Sequence, residues 1–226
     1  MITVIYLWRI ERKHVSRALW HMAVDRRSLK RNKSIKFFKL LGTGTGETFT
    51  PRDADPTRWG LLVTIEKSEL PAFDSGPLAK TWRNFASSEI RYVATPISSH
   101  GKWSGIEPFE VDLGLASTWS GKILAVTRAR IKWRKNLRFW GAVPPVISSL
   151  RGSPGLESAI GIGEAPIGLQ GTLSIWSDNQ ALQAFAYKGA AHSAVIKQTQ
   201  SEGWYAEELF ARFALVEVRG STTQEK

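Results

Sequence analysis

SIKFFKLLGTGTGETFTPRDADPTRWGLLVTIE, residues 34–66, contains two apolar stretches with no helix between them. SIKFFKLLG (34–42) and RWGLLVTIE (58–66) are apolar and contain β-branched or aromatic residues, and the segment that joins them is rich in Gly, Thr and Pro. This composition predicts two strands connected by a loop. A wound α/β sheet needs a helical crossover between parallel strands, so the pair favours an antiparallel arrangement.

The segments on either side complete a first structural unit. TVIYLWRI (3–10) and EIRYVATPIS (89–98) predict strands from their apolar, β-branched composition. Residues 13–29 and 68–87 predict helices, the second broken at Gly76–Pro77. The order of elements in this unit is therefore β-α-β-β-α-β.

The same order returns after a connector. Strands are predicted at 121–131, 156–167, 171–177 and 210–220, and helices at 133–150 and 179–203. Two such units predict an α+β protein, with two tandem ferredoxin-like (βαββαβ) repeats. Each four-stranded sheet leaves one apolar face bare, so we expect the two sheets to close face to face as an intramolecular dimeric α/β-barrel.

The predicted domain boundaries follow from this repeat. The N-terminal ferredoxin-like half covers 1–100, the connector 101–120, the C-terminal half 121–220 and a tail 221–226.

A continuous apolar run of about 20 residues, as needed to span a bilayer, is absent. The first residues, MITVIYLWRIERKH, do not resemble a secretory signal, so a cytoplasmic location is expected.

The composition limits the chemistry. The 226 residues include no cysteine, which excludes disulfides, zinc–thiolate sites, iron–sulfur clusters and thiolate-ligated haem. The formal net charge is +11, with basic clusters at 26–39 and 128–138. Such clusters attract anionic lipid, acidic proteins or nucleic acid, although a solvated basic face is equally compatible. Without a recognisable nucleic-acid-binding motif, nucleic acid is not expected as a partner.

The remaining candidate functional residues are a glycine-rich segment and the histidines. GTGTGETFTP (42–51) lacks the lysine and the following helix of a phosphate-binding loop, so it predicts a hairpin loop at the barrel rim. His14 and His21 share a face of the first helix. Without a carboxylate at ligand spacing, they are expected at the surface or at its boundary with the core.

His192 lies in FAYKGAAHSAVIKQTQSEGW (185–204), in a stretch that predicts an apolar helix face. Small neighbours, from Gly189 to Ala194, leave room beside the helix for a flat group. An imidazole on this face needs a partner, which is either a backbone carbonyl in the core or a ligand such as a haem iron. The residues alone are compatible with both partners.

Several segments together resemble the spheroidene monooxygenase family of bacterial carotenoid ketolases. They are FFKLLGTGTGETFTPRDADPTRW (37–59), GKWSGIEPF (101–109), LAVTRARI with FWGAVPPV (124–146), GIGEAPIGLQGTLSIW (161–176), and FAY....H with EGWYAEELFARF (185–213). The resemblance implies a dimeric α/β-barrel enzyme that binds haem b. It also implies a monooxygenase, a ketolase or hydroxylase, acting with molecular oxygen on an apolar substrate such as an acyclic carotenoid.

The resemblance also assigns roles to individual residues. It implies that His192 is the axial ligand of the haem iron. On that basis Thr172, Ser174 and Trp176, which share a strand face, are expected on the distal side. Arg128 and Arg130 are expected to meet the haem propionates. For these five residues, ordinary structural or solvent-facing roles remain open.

The expected partners follow from the charge and the chemistry. An acidic electron donor such as ferredoxin would be steered to the positive surface, and an anionic membrane holding an apolar substrate would attract it peripherally. The same barrel also resembles aldoxime dehydratases. The residues are compatible, too, with a peroxidase-like haem enzyme, a non-catalytic haem-binding protein and a cofactor-free barrel monooxygenase.

Overall fold

Eight antiparallel strands form a closed barrel. The computed structural model describes residues 1–48, 50–131, 149–164, 171–188 and 205–220. The strands in these ranges are β1 Ile2–Ile10, β2 Ile35–Gly44, β3 Ala54–Ile65, β4 Ala86–Gly101, β5 Ile123–Ile131, β6 Leu156–Gly163, β7 Gly171–Trp176 and β8 Tyr205–Arg219.

Helices connect some of the strands and cover the barrel from outside. Those in the described ranges are α1 Val15–Arg31, α2 Leu70–Asp74, α3 Pro77–Arg83, α4 Leu113–Thr118 and α5 Asn179–Lys188. The predicted break at Gly76–Pro77 separates α2 from α3, since Pro77 begins a new helix. Of the helices in these ranges, none has the length and apolar character needed to cross a bilayer.

The strand order around the barrel is β1-β3-β2-β6-β7-β5-β8-β4. The first four strands are neighbours in the order β4-β1-β3-β2, and the last four in the order β8-β5-β7-β6. Two seams join these halves. Within the described ranges, β4 pairs with β8 through ten residue pairs. β2 pairs there with β6 through three, Gly42 with Gly163, Thr43 with Ile162 and Gly44 with Gly161.

The predicted α+β barrel is confirmed, whereas the tandem repeat is tested only in part. The first half has the predicted element order. The predicted helix at 133–150 falls mostly on residues 132–148, outside the described residues. The ferredoxin-like repeat and the domain boundaries therefore stay predictions.

Three apolar clusters stabilise the barrel. The interior is filled by side chains from both halves, among them Leu7, Leu62, Leu124 and Phe213. Outside the N-terminal half, α1 and α3 bury a second cluster, which includes Trp8 and Trp82. Outside the C-terminal half, α5 packs on a third cluster around Trp176. Each sheet thus buries both faces, which requires the nearly continuous apolar strands seen in the sequence.

Candidate functional site

Small side chains dominate the outer surface of the C-terminal strands. Partners on neighbouring antiparallel strands point to the same side of a sheet. The pairing of β6, β7, β5 and β8 therefore produces two rows, which we call the C-terminal face. The first row is Ala159, Ser174, Ala125 and Arg212, and the second is Gly161, Thr172, Thr127 and Phe210.

α5 covers one end of the C-terminal face. Phe185 stacks on Trp176, with ring centroids 5.5 Å apart and an interplanar angle of 30°. Trp176 is fully buried, and its indole Nε1 donates to Ser174 Oγ at 3.0 Å. A buried indole N–H needs such an acceptor, so Ser174 fixes the orientation of the ring.

An arginine lies on the same face. Arg212 is paired in register with Ala125, and its Nη1 donates to Asn179 Oδ1 at 2.8 Å, at the first residue of α5. Among the described residues it makes no ion pair. Its positive charge is therefore available to an anionic group at the edge of the C-terminal face.

The glycine-rich segment borders this face. It forms the β2–β3 connection, and Thr45 and Gly46 line a small cavity with Ala159, Thr172 and Leu150. Gly46 has φ +71°, and an added Cβ would lie 2.8 Å from the backbone N of Gly161. Only glycine fits here, which lets the loop approach β6 closely.

The matching surface of the N-terminal half is filled by large aromatic residues. Trp8 stacks between Tyr6, at 5.3 Å, and Trp82, at 4.9 Å. All three side chains are fully buried. Large aromatic side chains therefore fill that side, whereas the C-terminal face carries mainly small ones.

The structure brings together some of the predicted site residues. Thr172, Ser174 and Trp176 share one face, as the alternation predicts. Arg128 points to the other side, with the interior residues Leu124 and Val126. It contacts the carboxylate of Glu207 and donates to Glu164 at 2.9 Å.

The remaining two predicted residues are Arg130 and His192. Arg130 follows Arg128 on the same side of β5, away from the C-terminal face, and is exposed. It pairs in register with Glu207. His192 lies outside the described residues, four positions after the end of α5 at Lys188.

Arg128 belongs to a polar cluster that the sequence did not predict. We call Arg128, Glu164, Glu207, Lys39 and Trp103 the barrel-end cluster. Glu164 accepts hydrogen bonds from Lys39 Nζ at 2.6 Å and from Trp103 Nε1 at 2.7 Å. Trp103 is fully buried, and Glu207 accepts from the backbone N–H groups of Ser104 and Gly105.

The charges in the barrel-end cluster lower the pKa of both carboxyl groups. Burial alone would raise the pKa of Glu164, but hydrogen bonds from Lys39 and Trp103 and two positive charges hold it below the ordinary value. The pKa of Glu207 is lowered despite burial by backbone hydrogen bonds from Gly105 and Ser104 and by Arg128. Both groups are ionised at neutral pH, so the cluster closes this end of the barrel as ion pairs.

The first-helix histidines differ from expectation in one respect. His21 Nδ1 lies 3.2 Å from Asp25 Oδ1, so the expectation that it lacks a carboxylate partner is wrong. Asp25 also accepts from Trp82 Nε1 at 2.9 Å. Within the described ranges, no group of three or more His, Asp or Glu side chains could hold a metal ion.

Comparison with known proteins finds relatives that share one name. The chain is 36% identical over 203 residues to a spheroidene monooxygenase of Rhodobacter capsulatus, covering 88% of this chain and 83% of the relative. It is 32% identical to that of Cereibacter sphaeroides, covering 88% and 61%, and 33% identical to that of Rubrivivax gelatinosus, covering 82% and 70%. No protein-family model matches the chain.

Solved structures support the fold. An aldoxime dehydratase in complex with butyraldoxime superposes with a TM-score of 0.61 at 10% identity, covering 96% of this chain and 79% of that one. A second aldoxime dehydratase gives a TM-score of 0.55 at 10% identity, covering 96% and 81%. At this identity the likeness concerns the barrel and not its chemistry.

Proposed function

Because the chain belongs to the spheroidene monooxygenase family and is itself a monooxygenase, we propose that it is a haem-dependent ketolase or hydroxylase. Its proposed substrate is apolar, such as an acyclic carotenoid. The observation that carries the proposal is the C-terminal face, a patch of small side chains beneath the helix that leads toward His192.

The described residues fit a haem. Thr127, Ala159 and Thr172 are small and half-buried on the C-terminal face, and they would leave space for a flat macrocycle. His192 would hold the iron, and haem b would supply the activation of molecular oxygen. Arg212 is better placed for a propionate than Arg128, because it shares the face with Ser174.

Ser174 has a specific part in this proposal. Its Oγ accepts the indole proton of Trp176, which leaves its own O–H free to donate. The hydroxyl is buried, and water competes little for it. Ser174 would thus hold a proton at the C-terminal face. Thr172 lies on the same strand face, and Trp176 orients the Ser174 hydroxyl.

The remaining requirements come from outside the chain. A monooxygenase reaction needs two electrons, and an acidic donor such as ferredoxin would complement the net charge of +11.

We also propose that the two halves are ferredoxin-like repeats, since β4-β1-β3-β2 and β8-β5-β7-β6 follow the same order.

The test is the absorption spectrum of the purified protein titrated with haem b. We expect a Soret band for the wild type and for His100→Ala, an exposed histidine on β4. For His192→Ala we expect haem affinity to fall about tenfold or more, since the iron loses its axial ligand. A colourless wild type would favour a cofactor-free monooxygenase, and an unchanged spectrum in His192→Ala would remove the ligand.

Turnover separates the enzyme classes. With an acyclic carotenoid, we expect product only when both oxygen and a reductant are present. Turnover of an aldoxime without oxygen would instead support a dehydratase. Peroxide-driven oxidation without a reductant would support a peroxidase-like enzyme, and haem binding without any turnover a non-catalytic haem protein.

A further inference from the structure

The outward side of α1 exposes a tryptophan. Trp20 is 66% exposed, and it is the one tryptophan among the large exposed apolar side chains of the described residues. Its neighbour Leu19 is 42% exposed. Burial of an indole is favourable, so a side chain left this open on a regular helix indicates a surface that meets a partner.

Helix geometry places positive charge around this indole. Ala18, Met22 and Leu29 are buried and define the inward side of α1. At about 100° per residue, Trp20, Arg27 and Arg31 fall on the opposite side. Trp20 therefore lies on a line of basic residues that points directly away from the barrel.

The basic residues extend along the whole helix. Those exposed in and next to α1 are Arg12, Lys13, Arg17, Arg26, Arg27, Lys30, Arg31 and Lys33. The acidic residue within α1, Asp25, is partly buried and accepts hydrogen bonds from Trp82 and His21. Within the described part of the chain, Arg26, Arg27, Lys30 and Arg31 make no ion pairs. Glu11, which precedes α1, pairs with Lys13 at 3.0 Å. Within α1 itself, the outward side carries basic side chains and no acidic one.

We propose that the outward side of α1 docks the protein on an anionic lipid bilayer. The basic side chains would meet lipid phosphates, and Trp20 would enter the interfacial layer, where its apolar ring and polar N–H are both accommodated. A helix of 17 residues, about 26 Å long, with charge along its length suits an extended anionic plane better than a compact acidic protein.

The docking surface rests on α1 alone, and only its purpose rests on the proposed function. An acyclic carotenoid partitions into the bilayer, so an enzyme held at the membrane surface meets its substrate at a high local concentration.

Vesicle flotation tests the proposal without haem or substrate. The probes are vesicles of phosphatidylcholine alone and of phosphatidylcholine mixed with phosphatidylglycerol, at low and high salt. We expect the wild type to bind only the mixed vesicles and to detach as salt screens the charges. Arg27→Glu with Arg31→Glu should weaken binding about tenfold or more, and Trp20→Ser should weaken it severalfold.

A matched control keeps the experiment specific. Arg52→Glu with Lys102→Glu changes the net charge equally at exposed residues away from α1, and this variant should keep most of the binding. Far-ultraviolet circular dichroism checks that each variant is folded. Failure of the wild type to bind mixed vesicles at low salt, or equal losses in both charge variants, would overturn the proposal. Vesicle binding by a protein that takes up no haem would refute the proposed function and leave the docking surface standing.

Discussion

At the residue scale, the Ser174–Trp176 hydrogen bond is the most direct test of the C-terminal face. Ser174→Ala leaves the buried indole N–H without its acceptor, so we expect the free energy of unfolding to fall by about 1–3 kcal/mol. Urea denaturation measures the change.

A double-mutant cycle isolates this bond. Trp176→Phe removes the donor, so adding Ser174→Ala to it should cost far less than Ser174→Ala costs alone. If the two substitutions proved additive, the hydrogen bond would contribute little to stability, and Ser174 would need another explanation.

Residue-level prediction succeeded where the signal was local. The strand period of two placed Thr172, Ser174 and Trp176 on one side without any knowledge of the fold. The carboxylate partners of Arg128 could not be predicted from the sequence, since Glu164 and Glu207 lie 36 and 79 residues away along the chain. Alternation along FARFALVEV could have identified Arg212, which shares its side with Ala214.

At the element scale, the end of β4 depends on a glycine. Gly101 has φ +92°, and an added Cβ would lie 2.2 Å from the carbonyl oxygen of Glu208 on β8. Nearby, Gly105 has φ +80° with nothing within 4 Å of an added Cβ. The two positions share the backbone cost of a positive φ and differ in steric clash.

Alanine substitution at these two glycines separates strain from clash. We expect Gly105→Ala to cost about 1 kcal/mol and Gly101→Ala to cost about 3 kcal/mol or more, because β4 and β8 must move apart. Thermal and urea unfolding of both variants provide the comparison. Equal losses would mean that β8 adjusts freely at this point.

Element types were more predictable than element ends. The apolar strands and the break at Gly76–Pro77 follow from composition and from proline chemistry. The start of β3 at Ala54 and of β8 at Tyr205 did not, because pairing with β2 and β5 extends the strands into polar sequence. Such extension depends on a partner strand, which local composition does not reveal.

At the scale of the whole molecule, the barrel-end cluster makes stability depend on pH. The pKa of Glu164 is lower in the folded protein than its ordinary value of 4.5. Its contribution to stability is therefore present above that value and is lost as the pH falls through the folded-state pKa.

We expect Glu164→Gln to lower the free energy of unfolding at pH 7 by about 1–2 kcal/mol. The difference from wild type should shrink as the pH falls below about 4.5. Glu157→Gln, which removes an exposed partner of Lys122, is the control and should cost about 0.5 kcal/mol or less. A pH-independent difference for Glu164→Gln would show that the charge of this carboxylate is not what stabilises the barrel end.

The closure of the barrel was predictable in kind but not in detail. Two sheets with bare apolar faces must cover each other, and this argument predicted the barrel. It did not predict that one seam has ten residue pairs and the other three. Seam registers depend on the fit of distant strands, such as Gly42 against Gly163, for which periodicity carries no signal.

The short seam has a consequence for how the wall of the barrel is made. Among the described residues, three main-chain pairs join β2 to β6, and Lys39 adds side-chain contacts to Glu164 and to Ser104 beside them. Main-chain hydrogen bonds persist through almost any substitution, whereas these side-chain contacts are lost when one residue is substituted. Substitution of Lys39 therefore alters this side of the barrel without any strand being re-paired.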